Sequence, residues 1–491
     1  MRRTTWLFVA ALVLGGCSSS APDQAIVNGA AAALGGASKI QAVNTLVIEG
    51  TGENGNLGQS TTPDALNVFK VSESKRVFDF AGGRQRLEQT RIATFGAPNP
   101  APQKQNLGLD GDVAYNVAAN GTATRASTQT VKDRRMEMYH HPIGALRAAL
   151  GQGARLSNPR KEGSDDVVDI TTSQGDKFTL FVDSGTKLPS KVVSMTSGDT
   201  NWPLGDVTLE TMFSNYTDVD GLKLPGRITS KTDKYTTADI QVSKNTVNGD
   251  AGNLAAPEAA KSAAAADVPA PMVTSEEIAK GIWYLAGQSH HSVLVEFKDY
   301  LALIEAPQND VRTGAVLAKV KELRPDKPLK YVVNTHHHFD HSGGVRRAMA
   351  EGVTLITHAG NKAFFEEIAK RPSTIYPDTF SKSPKAPTIE AVTDKYELKD
   401  ATRTVEIYPI PNLHSDTMLV VYFPAERILV EADLYNPPAP NAPPPAAYPF
   451  ASSVTATVQK LGLKVDRIVP IHGPIVPYRN LETAVRSTAS S

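Results

Sequence analysis

The sequence predicts an α+β protein in two parts: a mainly antiparallel, β-rich part, then a pair of sheets each covered by helices on its outer face. Three observations carry this prediction. From Thr45 to Val247 apolar residues recur with period two, and turn signals at Gly82-Gly83, Gly175-Asp176 and Asp220-Gly221 separate the runs. Residues 251–271, AGNLAAPEAAKSAAAADVPAP, are Ala-rich, hold three prolines and carry almost no large apolar side chain, the composition of a linker. From Met272 onward short apolar strands come in two runs with helical segments interspersed. A chain of 491 residues is too long for one ordinary core. The sequence therefore divides into a leader (1–17), a β-rich domain (18–250), the linker (251–271) and a C-terminal domain (272–491).

The leader reads MRRTTWLFVAALVLGGC. Arg2 and Arg3 precede an apolar run, Trp6–Leu14, that is too short to span a bilayer. Gly15-Gly16-Cys17 after that run resembles a bacterial lipoprotein signal; the plainer alternative is an ordinary cleaved signal. The resemblance implies export, lipidation of Cys17 and, with Ser18 following, anchorage at the outer membrane facing the periplasm. Cys17 is the single cysteine, so neither a disulfide nor a thiolate metal ligand is available to the body of the protein. Lys+Arg and Asp+Glu both number 51, which gives no global field to attract nucleic acid. No nucleic-acid partner is expected, and contact with a membrane only through the lipid anchor.

In the β-rich part a helix over Asp23–Leu34 closes on Gly35-Gly36, a suitable C-cap pair. The segments TLVIEGTG, LNVFKVS, KRVFDFAGGRQRLEQTRI, VVDITTSQGDKFTLFVD and DIQVSKNTV follow as strands, with helical insertions near Met136–Leu150. SGTKLPSKVVS (Ser184–Ser194) and DGLKLPGRITS (Asp220–Ser230) echo one another as turn, Lys-Leu-Pro and new strand. In texture and lipoprotein context this part resembles the half-barrel lipoprotein-carrier and sorting proteins. That implies a curved sheet over a cleft for lipid or acyl groups; a plain spacer from the membrane is the other reading.

In the C-terminal part GIWYLAG, HSVLVEF and YLALIEA are strands. DVRTGAVLAKVKEL is an amphipathic helix with Val311, Val316, Leu317, Val320 and Leu323 on one face. LKYVVN is a buried-type strand, GVRRAMAEG a helix, VTLITH a strand and NKAFFEEIAK a helix. The strands RTVEIYPI, MLVVYF and RILVEAD, the helix SSVTATVQKLG, the strand VDRIVPI and the helix LETAVRS complete it.

NTHHHFDHSGG, residues 334–344, follows the strand Leu329–Val333 directly, where ligand sites of mixed α/β sheets sit. His336 and His338 point the same way in an extended segment, with Asp340 and His341 in the turn beyond. Imidazole nitrogens and carboxylate oxygens suit zinc and its borderline neighbours, and four such groups exceed what one tetrahedral site takes from one loop. His336-X-His338-X-Asp340-His341 resembles the signature of the metallo-β-lactamase-fold hydrolases, and the resemblance spans about 220 residues, 272–491. It implies an αββα sandwich. It also implies that His414 in PNLHSD, Asp433 ending RILVEAD and His472 in IVPIHG join the loop. His336, His338 and His414 would hold one ion; Asp340, His341 and His472 would hold a second, with Asp433 bridging or supporting. Two Zn2+ are expected, with iron or manganese as alternatives.

A zinc-bound water falls in pKa from about 15.7 to about 7, so hydroxide is available at neutral pH. The expected activity is hydrolysis of a lactam, lactone, ester or thioester carbonyl, with Asp340 orienting the hydroxide, on a small-molecule substrate of apolar or acylated type. Two other functions fit the same residues: an iron-dependent oxygenase like the persulfide-dioxygenase branch of the fold, and a lipid- or acyl-binding lipoprotein with an accessory metal domain. Among the remaining residues, His337 is expected to turn away from the metals, His358 to be structural, and His290 and His291 to serve a plain turn, with lining of the site mouth as their alternative. His140 and His141 receive no role. Glu305 is a candidate support for a metal ligand. YNPPAPNAPPPAAYPF (Tyr435–Phe450), with seven prolines in sixteen residues, is expected to form a stiff connection. It could also rim the metals, with Tyr435, Tyr448 or Phe450 toward substrate.

Overall fold

A computed structural model describes residues 21–96, 99–197, 201–267, 271–443 and 448–489. The leader and Cys17 lie outside them. Among the described residues the period-two region assembles into one thirteen-stranded antiparallel sheet. It runs from Ala123–Arg125 at one edge to Arg155–Glu162 at the other. The first strand, Thr45–Asn56, sits in the middle, paired with the last, Tyr235–Val247, so that Leu46 faces Val247. Four helices (Pro22–Leu34, Ala37–Gln41, Thr128–Tyr139 and Pro142–Ala149) pack Val27, Leu34, Ile40 and Leu146 onto Leu46, Phe78, Val168 and Leu180 of the sheet. The first helix ends where its glycines predict. Gly35, at φ +131°, donates its N–H to Ala31 and Ala32 in a conformation that side chains resist.

The second helical region starts earlier than the sequence expectation, at Thr128 rather than near Met136. Two helices form, and the break falls at His140-His141. Pro142 drives the residue before it out of helical space, and His141 instead caps the new helix, its Nδ1 accepting from Ile143 N at 3.2 Å. The earlier start, capped by Ser127, leaves little trace in the sequence because TQTVKDRR presents no apolar stripe. Between these helices and the sheet lies a cavity of about 330 Å3, lined by apolar residues such as Ile48, Phe78 and Met136 and by the Arg76–Glu137 ion pair at 2.8 Å. Its lining is mixed rather than purely apolar.

Burial pushes His140 down to about 4 and His141 down to about 3. Thr211 and Ser194 hold both nitrogens of His140, at 2.9 and 2.8 Å. The unfolded chain takes up these protons near pH 6.5 and the folded chain does not, so stability is full above about pH 6.5 and declines as the pH falls toward 4 and then 3. Urea midpoints should therefore drop between about pH 6.5 and 4. The drop should be shallower in a His140→Gln, His141→Asn variant; equal slopes for the two chains would refute the assignment.

The Ala-rich stretch contains a short helix, Glu258–Ser262, and is fastened to the first sheet. Ala256 and Ala260 pack on Tyr115, whose hydroxyl donates to Leu254 O at 3.2 Å.

The C-terminal part is an αββα sandwich. A seven-stranded sheet (Thr274–Val392) faces a six-stranded one (Tyr396–Pro477) among the described residues. Alternation along each strand assigns its faces. Ile304, Val333 and Ile356 meet Val421, Val430 and Val469 between the sheets. Leu303, Val332 and Leu355 face the helices Asp310–Leu323, Val345–Ala350 and Lys362–Lys370. Val420, Leu429 and Ile468 face Ala451–Leu461 and Tyr478–Ala489. Strands covered on both sides need apolar residues at every position, which is why they read as unbroken runs. The two parts of the chain are docked: Leu204 and Val207 enter the core under the helices of the seven-stranded sheet. Arg371 donates to Leu204 O at 2.6 Å, to Asp206 O at 2.8 Å and to the Asp233 carboxylate at 2.5 Å.

Candidate metal centre

Three parallel strands, Leu301–Ile304, Leu329–Val333 and Thr354–His358, end at one edge of the sandwich. The first two deliver Glu305 and the 334–344 loop there. In the facing sheet Ile428–Glu431 and Arg467–Pro470 run parallel and deliver Asp433 and His472. All seven residues singled out by the sequence converge, in two groups. His336, His338, His414 and Asp433 form one; Asp340, His341 and His472, joined by His290, form the other. Within each group the donor atoms lie within 4.8 Å of one another.

Asp433 stands between the groups. Its Oδ2 lies 3.2, 2.9 and 3.2 Å from Nε2 of His336, His341 and His414, and its Oδ1 lies 2.9 Å from His472 Nε2. It holds a left-handed backbone, φ +61°, which aims the carboxylate into the cluster. The donor set fits divalent cations. Nε2 of His336 and of His414 are buried, yet have no hydrogen-bond partner of acceptable geometry despite their nearness to Asp433. Nε2 of His341 and His472 face one another at 3.2 Å. Buried nitrogens and oxygens crowded with so few protons to share are stabilised by a cation, and all-N/O donors suit zinc and its neighbours.

Electrostatics agree with a site built for positive charge. Burial, then the neighbouring His341 and His338, hold His336 well below the usual histidine range, and burial lowers His338 to about 4. Burial alone would raise Asp340 and Asp433. The His290 hydrogen bond and the His341 and His290 charges outweigh it at Asp340, and His341 with its neighbouring imidazoles outweighs it at Asp433, so both stay well below the carboxylate range. His341 is pulled the other way: burial opposes its charge, but Asp433 and Glu305 raise it well above 6.5.

Glu305 is fully buried and accepts from Thr335 N at 2.7 Å and from His341 Nδ1 at 2.8 Å. Because a carboxylate only accepts, Nδ1 carries the proton and Nε2 is left for an ion. Glu305→Gln should weaken zinc binding about 10- to 100-fold, measured by competition with a chromophoric chelator, and unchanged affinity would show that Glu305 does not orient His341. His337 turns away, its Nδ1 meeting Thr417 Oγ1 at 3.1 Å, and His358 caps Gly360 N at 3.0 Å. His291 Nδ1 accepts from Gly287 N at 3.2 Å.

His290 departs from its expected turn role. It is buried, its Nε2 lies 3.1 Å from Asp340 Oδ2, and its ring lies 4.2 Å from that of His472. Arg312, fully buried, draws the preceding loop inward: its Nη2 donates to Gly287 O at 3.0 Å and to His290 O at 2.9 Å. The helix face is corrected with it, since Val311 is exposed while Arg312 and Thr313 are buried. Apolar periodicity cannot show a helix that packs through a guanidinium on carbonyls. Beyond the ligands, Phe450 stands with its ring 5.3 Å from that of His414, and buried Tyr435 lies 5.1 Å from Tyr448; residues 444–447 of this segment lie outside the described residues. Gln59, from the β-rich part, donates from Nε2 to Asp340 Oδ1 at 2.8 Å, a contact with no signature in the sequence.

Two helix-flanked sheets with His and Asp clustered at one edge form a sandwich whose donor groups could hold metal ions. Residues 287–472 match the family model of the Metallo-beta-lactamase superfamily, and the C-terminal half of the chain has the metallo-β-lactamase fold. Similar solved structures include a metallo-β-lactamase from Pontibacter korlensis, 19% identical, covering 45% of this chain and 100% of that one with a TM-score of 0.35. Another is a Pseudomonas aeruginosa metallo-β-lactamase in a mono-zinc form, 18% identical, covering 45% of this chain and 97% of that one with a TM-score of 0.34. A third, from Hirschia baltica, is 17% identical, covering 44% and 97% with a TM-score of 0.33. No curated protein sequence matches the chain. The superfamily match and the two donor groups support a metal-dependent, hydrolase-type function.

Proposed function

We propose that the protein is a dizinc hydrolase acting on a lactam, lactone, ester or thioester. The observation that carries this reading is the convergence of seven separately encoded His and Asp side chains, with His290, into two adjacent donor groups. His336, His338 and His414 would hold one ion, Asp340, His341 and His472 the other, and Asp433 would contact both. Divalent cations bound there would acidify water and polarise a carbonyl oxygen. The chain's own residues do the rest. Asp340, held ionised, can accept a hydrogen bond from the attacking water and orient it. Glu305 keeps His341 in one tautomer, and the buried walls limit competing solvent. Leu413, 81% exposed beside His414, and Phe450 offer an apolar lip that favours a substrate with an acyl or other apolar group.

The test is a hydrolysis screen of lactams, lactones, thioesters and lipid esters with zinc-loaded protein, beside His338→Ala and Asp340→Ala. Activity should appear with the wild type and vanish in both variants. Turnover that survives both, or stoichiometric iron accompanied by oxygen uptake, would overturn the proposal.

A further inference from the structure

The β-rich part reaches the metal centre at the turn of residues 57–62, between the strands Thr45–Asn56 and Asn67–Asp79. Four successive residues of that turn touch the ligand loops. Gly58 O accepts from Phe339 N at 3.0 Å, Gln59 Nε2 donates to Asp340 Oδ1 at 2.8 Å, Ser60 O accepts from His338 Nε2 at 2.9 Å, and Thr61 O accepts from Asp416 N at 2.8 Å. The turn is held firmly from its own side. Asn67 Nδ2 donates to Gln59 O, and the buried Ser60 hydroxyl reaches the carbonyls of Thr62 and Ala65 at 2.7 and 2.8 Å. Gly58, at φ +75°, lies so close to the Phe339 ring that a Cβ there would come within 2.3 Å of it.

Two of these contacts act on ligand atoms. A backbone carbonyl only accepts, so the Ser60 contact fixes the proton of His338 on Nε2 and leaves Nδ1 bare for an ion. Gln59 occupies Oδ1 of Asp340, while Oδ2 faces His290 at 3.1 Å and His341 at 3.8 Å. Gln59 thus decides which carboxylate oxygen is turned toward the second donor group.

We infer that the metal centre is a composite of both parts of the chain, with Gln59 a positioning residue for Asp340 and the Ser60 carbonyl a positioning group for His338. The inference rests on the metal reading above and adds to it. The β-rich part is then a constituent of the centre, one ligand of each donor group being oriented from it. Ion binding and the seating of this turn are coupled, because each favours the same arrangement of His338 and Asp340.

The test uses the full-length chain, stripped with a chelator and titrated with Co2+ and with Zn2+ alone. Gln59→Met keeps the length of the side chain and removes its N–H donor. It should weaken the second of two ions about 10- to 100-fold and alter the visible Co2+ bands of that ion, while the first binds as before. A variant that loses thermal stability yet binds both ions with wild-type affinity and spectrum would reduce Gln59 to a domain contact and overturn the inference. If the variant fails to fold, hydrogen exchange in the wild type decides: the peptide covering residues 57–67 should gain protection on Zn2+ loading, and equal exchange with and without the ion counts against the coupling. A wild-type chain that binds no ion removes both this inference and the proposed function; a wild type that binds two ions with an unaltered Gln59→Met removes this one alone.

Discussion

Asp433→Ala should strip the protein of both ions and of any hydrolytic activity. The carboxylate lies 2.9 to 3.2 Å from four imidazoles, two from each donor group. Removing an outer partner of a metal ligand typically weakens binding 10- to 100-fold, so if Asp433 serves as a shared ligand, as proposed, its loss should weaken binding by at least about 100-fold. A second effect acts without metal. Asp433 and Glu305 together hold His341 protonated in the buried, metal-free centre, and deleting one anion removes much of the reason for that charge to persist. The metal-free variant should therefore release a proton from His341 at lower pH than the wild type, visible in histidine NMR shifts. Metal analysis after gel filtration is the primary check: Asp433→Ala that retains two ions per chain would show that Asp433 is not a shared ligand.

Gly343→Ala should add a damaging methyl beside the metal centre. A Cβ at Gly343 would lie 1.8 Å from Gln308 O and 2.7 Å from Phe339 O, both backbone atoms that cannot swing aside as a side chain would. Gln308 N also donates to Asp340 O at 2.7 Å, so the segment carrying Glu305 and the turn carrying Asp340 lie directly against one another here. Forcing them apart misplaces His341's partner and the Asp340 carboxylate in one step. A loss of about 4 kcal/mol or more is expected, the range reserved for clashes and broken buried networks. Gly29→Ala supplies the contrast, since nothing lies within 4 Å of a Cβ there and its helix should gain about 0.5–1 kcal/mol. Thermal unfolding of the two variants, with and without zinc, separates them; a Gly343→Ala protein as stable as Gly29→Ala would mean the two loops are not packed as described.

Much of the architecture was legible because the physics is local. Strands buried on both faces must be apolar nearly throughout, so Leu419–Phe423 and the Ile428–Val430 run announce themselves. Gly35 marked the end of the first helix because few other residues adopt its φ. The helix pair at Thr128–Tyr139 and Pro142–Ala149 was blurred, since a polar helix held by a Ser127 cap carries no periodic signal. Residues 336–341 were legible as a centre because crowding four imidazole or carboxylate donors among the ligand positions has few uses other than holding cations.

By itself, the sequence determined the donor chemistry: nitrogen and oxygen ligands without thiolate, placed at strand ends, in a chain with no charge excess to favour a polyanion. Only the tertiary structure decided what surrounds those donors. His290 enters the second group because a buried guanidinium, Arg312, gathers carbonyls from the preceding loop. Gln59 and Ser60 reach the ligands from some 280 residues away in the chain, through an amide and a backbone carbonyl. Such contacts depend on how the two parts of the chain pack together. A backbone carbonyl is common to every residue, so the chain's letters carry no mark of the one that orients His338.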